Sequence, residues 1–268
     1  MTRLITEWIE NMEAEMEEYN SELLRKTGYD LAKLAAKCSD VPSDKMDKLI
    51  AKSKVAVVPI TQGQGLISKF SQSVAAIVRT MGCEAFVTEH TDVDGIYDAV
   101  LENADVVFFA DDTRYLALNL KNGKAGDNNY GTALGYIQVM EALKKINNRE
   151  ESEEILVIGY GIVGQEAVKI LNQKHMDFAI FDKDFDKIKE LPNVKLDNIK
   201  DIKKYRNILD FTNVGGWLTN EYLAEDAIIA TPGIPLSLDE EARNIYGEKT
   251  VSDFLEIGTA IMLGLALC

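Results

Sequence analysis

Histidine is almost missing from this chain. Only two of its 268 residues, His90 and His175, are histidines. A triad built on histidine, or a metal site rich in it, is therefore not expected. Cysteine is equally sparse: Cys38, Cys83 and Cys268 are widely spaced and form no C-x-x-C pair. Neither a disulfide framework nor a zinc site follows from them. Positive charge is short as well, with 29 Lys and Arg against 44 Asp and Glu and a formal net charge of −15. Binding of nucleic acid needs clustered Lys and Arg to neutralise phosphates, so it is not expected. The acidity serves solubility first, and it is compatible with a cationic substrate, whose local concentration a negative field raises. No apolar run reaches the length of a membrane span. The opening Met1–Trp8 continues into acidic residues, which is not the pattern of a signal peptide. Low-complexity segments and short-period repeats are lacking too. The expectation is a cytoplasmic enzyme with no metal, no membrane and no nucleic-acid partner. Its proton transfers would fall to a carboxylate, a lysine, a tyrosine or the substrate itself.

What the chain does have is concentrated after residue 154. Glu154–Ile158 is an apolar run of strand length, closed by Gly159, Gly161 and Gly164 at G-x-G-x-x-G spacing, and a helix-forming segment follows. A second apolar run, Phe178–Phe181, ends in Asp182, eighteen residues past Gly164. With strand before, helix after and the acid in register, this is a dinucleotide-binding fingerprint. Gly159 would make the tight turn, Gly161 would let the backbone approach a pyrophosphate, and Gly164 would let helix pack closely on strand. The unpaired N–H groups at the start of the helix, around Ile162 and Val163, would face the phosphates. The carboxylate of Asp182 would accept two ribose hydroxyls and repel a 2′-phosphate, which favours NAD over NADP, while the adjacent Lys183 partly offsets that repulsion. The plain alternative is that the glycines merely ease a strand-to-helix turn.

At 268 residues the chain is long enough for one large domain or two small ones. Residues 1–52 read as a helical leader or lid, 53–148 as an α/β substrate domain, and 149–268 as a Rossmann domain, with the charged stretch Asn147–Glu154 as the boundary. From residue 54 onward, strands and helices alternate. Strands are predicted at 55–58, 85–88 and 106–110, then at 155–159, 178–182, 193–196, 207–211, 227–230 and 249–252, with helices between them. This grammar calls for α/β architecture with doubly wound parallel sheets and right-handed crossovers. Two such sheets in succession are the layout of a two-domain dehydrogenase, whose substrate would sit in the cleft between them.

Several polar stretches fall where such a fold places ligands. The loop Thr61–Gly65 follows the first strand and opens a helix, and its Gln62 and Gln64 suit a ligand carboxylate or amide, unless it is a plain turn. Asp111–Asp112 closes the third strand, at the sheet edge where open α/β sheets bind ligands. Paired acids there would hold a substrate ammonium; a solvated turn is the alternative. Lys121 and Lys124 lie in the polar loop 119–129, where an amino-acid dehydrogenase would carry its base. Thr212–Asn213 and Thr231–Pro235 end the fourth and fifth strands of the cofactor sheet, whose ends line ribose and nicotinamide. Gly258 and Thr259 open a buried apolar tail helix and would close over the cofactor.

Taken together these stretches resemble one family, the pyrrolysine synthases, NAD-dependent dehydrogenases that complete pyrrolysine biosynthesis. The resemblance rests on Val58–Gly65, Ala110–Asp112, Asn119–Lys124, Thr231–Pro235, Ile257–Ala260 and Thr27–Asp30, and it spans nearly the whole chain. It implies a substrate that is a lysine acylated on its ε-nitrogen by 3-methylornithine. The terminal amine is oxidised by hydride transfer to NAD, the neighbouring α-amine attacks the resulting imine or aldehyde, and loss of ammonia closes a pyrroline ring. It implies further that Asp111, with Asn128 nearby, contacts the reacting amine as the catalytic pair. Gln62, Gly63 and Gln64 would face the amide or lysine end, Leu4 would cover the substrate from the first helix, and Gly258 and Thr259 would complete the substrate site. Gly159, Gly161, Ile162, Val163, Gly164, Asp182, Thr212, Thr231 and Pro232 would hold NAD. A homodimer is compatible with this picture. The chain departs from the family at Gln62 and Gln64, where the family carries smaller or shorter polar side chains. Two other readings stay open: a general amino-acid or 2-hydroxy-acid dehydrogenase, and an NAD-sensing module without catalysis.

Overall fold

The computed structural model describes residues 4–268; the first three residues of the expected leader lie outside it. Four helices come first: α1 (Thr6–Ile9), α2 (Met12–Thr27), α3 (Leu31–Cys38) and α4 (Ser43–Ile50). Then follow β1 (Lys54–Val58), α5 (Phe70–Met81), β2 (Glu84–Val87), α6 (Asp92–Leu101), β3 (Val106–Ala110), β4 (Tyr115–Asn119), β5 (Ala125–Asp127) and α7 (Asn128–Ile146). The remainder is β6 (Ile155–Ile158), α8 (Ile162–Gln173), β7 (Phe178–Phe181), β8 (Val194–Leu196), β9 (Asn207–Asp210), β10 (Ile228–Thr231), α9 (Glu240–Tyr246), β11 (Thr250–Ser252) and α10 (Glu256–Leu267). None of the helices among the described residues is long and apolar enough to cross a membrane.

These elements form two compact units. The first joins the leader up to Arg25 with Tyr29–Gly135 and Leu255–Cys268; the second comprises Lys26–Gly28 and Tyr136–Phe254. The division differs from the expected boundaries in two ways. The leader does not stand apart, because its apolar stripe (Ile9, Met12, Met16, Leu31, Leu34) is buried within the first unit. The tail helix α10 belongs to that unit too, rather than to the cofactor domain. Apolar on all sides, α10 has no solvent face to offer and must be surrounded. At Gly264, an added Cβ would lie 2.7 Å from the Ser39 hydroxyl oxygen and 3.1 Å from the Ala35 Cβ and carbonyl oxygen, so α3 and α10 pack there with little room for a side chain. Full burial of Ile257, Ile261, Met262 and Leu263 contributes about 1.5–3 kcal/mol for each side chain.

The sheet of the first unit has the order β2-β1-β3-β4-β5. Its β1, β2 and β3 are parallel, as the alternation predicts. Beyond them the all-parallel expectation is corrected: β4 pairs antiparallel with β3, and β5 antiparallel with β4. The polar residues around 119–129 read as a loop, yet Tyr115–Asn119 alternates buried and half-buried positions, the period of a strand with one face on the core. Asn119 makes the second hairpin compact, because its side-chain oxygen accepts the N–H groups of Lys121 and Asn122.

In the second unit the order is β11-β10-β9-β6-β7-β8, all parallel. This is the doubly wound arrangement, with the order reversing between β6 and β9. The expected helices between every pair of strands are corrected here. Only α8 and α9 are α-helical, and Phe185–Lys187, Ile199–Lys204 and Asn220–Tyr222 are single 3-10 segments. In the crossover from β7 to β8, Pro192 and the charged, apolar-poor stretch 183–190 offer too little apolar surface for a full helix.

Candidate functional site

In the second unit the glycine loop joins β6 to α8. Gly159 adopts φ +89°, a left-handed conformation that favours glycine, and an added Cβ would lie 3.0–3.2 Å from the Phe211 backbone and the Thr212 side chain. An added Cβ at Gly164 would overlap the Gly159 carbonyl, so helix and strand meet there with no room for a methyl. Gly161 differs from both, since nothing lies within 4 Å of the Cβ it lacks. It is the N-cap residue of α8 and offers no side chain to its first N–H groups. Those donors and the helix dipole thus face open space beside an exposed Ile162, the surroundings an anion needs.

Asp182 follows β7 and is only 8% exposed. One carboxylate oxygen accepts the Tyr160 N–H at 2.7 Å and the other the Asp184 N–H at 2.9 Å, so the acid is braced against the glycine loop. A carboxylate accepts about four hydrogen bonds, which leaves capacity for ligand hydroxyls. Beside it is an open pocket of about 540 Å³ lined by Phe181, Asp182, Lys183, Phe185, Asp197, Asn198 and Ile199, between the ends of β7 and β8. Thr212 and Thr231 stand beyond β9 and at the end of β10. The Thr231 hydroxyl is fully buried and accepts the Gly233 N–H at 3.0 Å, while Pro232 beside it is half-buried. Thr231 therefore supports the loop from within.

In the first unit the expected substrate residues gather at one edge of the sheet. Gln62, Gly63 and Gln64 follow β1, Asp111 follows β3, and Asn128 follows β5, which runs parallel to β3 because two antiparallel pairings separate them. Asp111 opens the β3–β4 turn, where its carboxylate accepts the N–H groups of Thr113 and Arg114 at 2.7 Å each. Those two N–H groups, that of Arg114 foremost, hold the Asp111 carboxyl below its ordinary range. It is an anion suited to holding an ammonium and a poor proton acceptor. Asp112 turns the other way: its carboxylate accepts the Gln64 N–H at 2.7 Å and fills the space a Gly63 side chain would need. At the far end of the loop, Asp92 accepts both the N–H (2.8 Å) and the hydroxyl (2.6 Å) of Thr61. The exposed glycine loop is thus pinned at both ends by carboxylates. Arg114 bridges to Asp127 at 2.7 Å, tying the turn to the residue before Asn128.

Asn128 begins α7, and its side-chain oxygen accepts the Thr132 hydroxyl at 3.3 Å. Gly258 packs on this pair, its missing Cβ lying 2.9 Å from the Asn128 oxygen. Thr259 points inward, fully buried, with its hydroxyl 2.9 Å from the Tyr115 hydroxyl, so it serves the core of the unit. Leu4 is buried on the extended segment that precedes α1, not on the helix itself. Lys121 and Lys124 sit at the opposite edge of the sheet, in the turn beyond Asn119, which pairs with Val106 at the start of β3. Lys121 pairs there with Asp105, and Lys124 with the Cys268 carbonyl. No group of histidine, cysteine and carboxylate side chains fit for a metal occurs among the described residues.

Two relatives are similar along most of their length. One, named pyrrolysine synthase, from Methanosarcina barkeri (strain Fusaro), is 36% identical over 78% of this chain and 80% of that protein. The other, of the same name and from Methanosarcina acetivorans, is 31% identical over 98% of each. The family model described as pyrrolysine biosynthesis protein PylD, N-terminal domain, matches residues 8–126. The chain belongs to the pyrrolysine synthase family. Among solved structures it is similar to shikimate 5-dehydrogenase from Thermus thermophilus in complex with NADP(H) and shikimate, with 11% identity and a TM-score of 0.48 over 80% of this chain and 91% of that one. Shikimate dehydrogenase from Aquifex aeolicus is similar at 14% identity and a TM-score of 0.48, over 81% and 91%.

In this member of the pyrrolysine synthase family, sequence reasoning passes over several residues that shape the two sites. Asp92 clamps the glycine loop, Asp197 and Asn198 line the pocket beside Asp182, and Glu256 is a buried acid at the start of α10, while Asp112, expected to share a substrate ammonium with Asp111, clamps the loop instead. Asp210 ends β9 fully buried, and desolvation pushes its carboxyl above the ordinary range. For Asp210 the signal was present: it closes an apolar strand just as Asp182 does. For Asp92, and for the clamping role of Asp112, it was not, because their partners lie 31 and 48 residues away.

Proposed function

We propose that this protein oxidises the terminal amine of 3-methylornithyl-N6-lysine with NAD and so forms the pyrroline ring of pyrrolysine. Membership in the pyrrolysine synthase family along nearly the whole chain carries the reading. Bound NAD would supply the two-electron oxidant, as acceptor of a hydride from the carbon that bears the terminal amine. The amine must first be neutral, since only a free nitrogen lone pair can push the hydride out. The imine is then attacked by the neighbouring α-amine, the carbon–nitrogen bond to the former terminal nitrogen breaks, and ammonia leaves. Per turn, one neutral amine and one NAD give one pyrroline, one ammonia, one NADH and one proton.

The residues divide this work. Asp111 holds the amine as an ammonium and orients it, and its low proton affinity leaves the final deprotonation to water or to the substrate's own second amine. Asn128, fixed by Thr132 and Gly258, orients without titrating. Gln62 and Gln64 take the amide or lysine end, on a loop whose shape Asp92 and Asp112 maintain, and Leu4 covers the substrate. Ring closure is intramolecular and gains from proximity once the chain is held folded. On the cofactor side the bare N-terminus of α8 takes the pyrophosphate, with Gly159, Gly161, Ile162, Val163 and Gly164 providing the approach. Asp182 takes the adenosine ribose, and the second carboxylate of the pocket, Asp197, adds to the repulsion of a 2′-phosphate, in favour of NAD over NADP. The test is to incubate protein, NAD and 3-methylornithyl-lysine and to look for the cyclised product by mass spectrometry. No product above background rejects the activity.

A further inference from the structure

Asp210 is a carboxylate that neither ligand needs to touch. It is fully buried at the end of β9, and so are its hydroxyl partners Ser237 and Thr231. One oxygen accepts the Thr212 N–H at 2.9 Å. The other accepts the hydroxyl of Ser237 and, at 3.5 Å, that of Thr231. Every one of these partners is neutral. A carboxylate desolvated without a cation is costly to keep. A side-chain amide of the same shape would be cheaper, so its cost points to a task other than holding the unit together.

The partners show what that task is. Thr212 lies in the loop after β9, while Thr231 and Ser237 flank the loop after β10. From Thr231 the chain of bonds continues to the Gly233 N–H, and an added Cβ at Gly233 would lie 2.5 Å from the Thr212 carbonyl oxygen. From Thr212 it continues to Trp217, whose indole N–H donates to the Thr212 hydroxyl at 3.2 Å. Backbone bonds from Gly216 to Leu236 and from Leu218 to Ser237 bring the same two loops together further on. Asp210 pairs in register with Ile158, the residue before Gly159, and the sheet order reverses between their two strands. A doubly wound sheet binds its ligand at that reversal.

We propose that Asp210 is a positioning residue of the cofactor site: its buried carboxylate joins the loop after β9 to the loop after β10 and sets where Thr212 and Gly233 stand for the nicotinamide end of NAD. The inference rests on the NAD reading. A purely structural role and a positioning role separate in Asp210→Asn. Asn keeps the shape and an acceptor for the Thr212 N–H. It removes the buried charge, so stability holds or rises, but it turns one acceptor toward Ser237 and Thr231 into a donor.

The test uses full-length protein carrying Trp8→Phe, so that Trp217 is the sole indole. Thermal unfolding, the emission of Trp217 without ligand, and calorimetric titration with NAD are measured on this parent, on Asp210→Asn and on Ser237→Ala. The expected result for Asp210→Asn is an unfolding midpoint at or above the parent's, a shifted Trp217 emission, and NAD binding weakened by about tenfold, the scale of one misplaced charge-assisted hydrogen bond. Ser237→Ala, which removes a single donor, shifts affinity in the same direction by about threefold. Asp210→Asn with parental midpoint, emission and affinity overturns the inference. If that variant does not fold, unchanged NAD affinity in Ser237→Ala does so. A parent that does not bind NAD overturns the cofactor reading together with the inference, whereas a binding parent with unaffected variants overturns the inference alone.

Discussion

Gly161 and Gly164 stand three residues apart in one loop, yet a methyl group added to each meets opposite surroundings, and the contrast tests the cofactor site. At Gly161 the backbone has φ −78° and ψ −167°, values an alanine adopts freely, and the new Cβ touches nothing within 4 Å. Alanine is a poorer N-cap than glycine by about 0.5–1 kcal/mol. It recovers about 0.4–1 kcal/mol by restricting the unfolded chain, so Gly161→Ala should leave stability almost unchanged. Its methyl would nevertheless project into the space before the α8 N-terminus. A pyrophosphate pushed back by about 1 Å loses at least one charge-assisted hydrogen bond of roughly 1.5–3 kcal/mol, or about 10- to 100-fold in NAD affinity. At Gly164 the Cβ overlaps the Gly159 carbonyl and lies 3.0 Å from its carbon. Backbone cannot swing aside, so α8 must retreat from β6. Overpacking of this kind costs about 1–3 kcal/mol or more, offset by about 1 kcal/mol of helix propensity. A net loss of about 1–2 kcal/mol lowers the midpoint by about 2–8 °C at 2–4 °C per kcal/mol. Thermal unfolding and NAD calorimetry on both variants decide the matter. Native stability with undiminished NAD affinity in Gly161→Ala refutes the phosphate role, and a parental midpoint in Gly164→Ala refutes the packing argument.

Three further outcomes are expected. Lys121→Met and Lys124→Met, each assayed by NADH formation, keep rates within about twofold, because both lysines are engaged at the sheet edge away from Asp111 and exposed pairs are worth only about 0–1 kcal/mol; a collapse in rate would favour the amino-acid dehydrogenase reading instead. Asp112→Ala removes the acceptor of the Gln64 N–H and loosens the glycine loop, so KM for the ornithyl-lysine substrate rises by about threefold or more, the worth of one net hydrogen bond, while NAD affinity measured by calorimetry stays put. The pH profile follows from Asp111: a carboxyl held below its ordinary value by the Arg114 and Thr113 N–H groups is protonated only as pH falls through its lowered folded value. Between pH 6 and 10 it does not titrate, and kcat climbs with pH as the bound ammonium loses its proton. Asp111→Asn removes the anion that favours that ammonium, which moves the rising limb to lower pH by up to about one unit; a limb that stays in place would show that Asp111 does not face the amine.

The second unit was the more legible half, and the reason is local. Strand β6, the three glycines, helix α8 and Asp182 are contiguous, and each glycine answers a backbone demand set within a few residues of itself. Asp210 was legible in principle, as a second acid closing a second apolar strand. Its partner Ser237 lies 27 residues on, however, and only the sheet brings it back. The first unit hid more. Polar Asn119–Asn129 read as a loop because hairpin turns and solvent-facing strand positions use the same residue types. Lys121 and Lys124 looked chemically attractive there until strand pairing carried them to the wrong end of the sheet.

The order of residues alone determined the α/β class, the nucleotide fingerprint with its acid, the parallel strands with their lengths, and the family, because periodicity, turn chemistry and motif spacing are properties of neighbouring residues. Tertiary structure alone decided that α10 leaves the cofactor domain to become the buried centre of the first unit, that Asp112 clamps a loop beside Asp111 instead of sharing a ligand with it, and that Thr259 faces the core. Those outcomes depend on which distant surfaces meet. A helix apolar on every side states only that it must be surrounded, and the folded chain supplies the elements that do so.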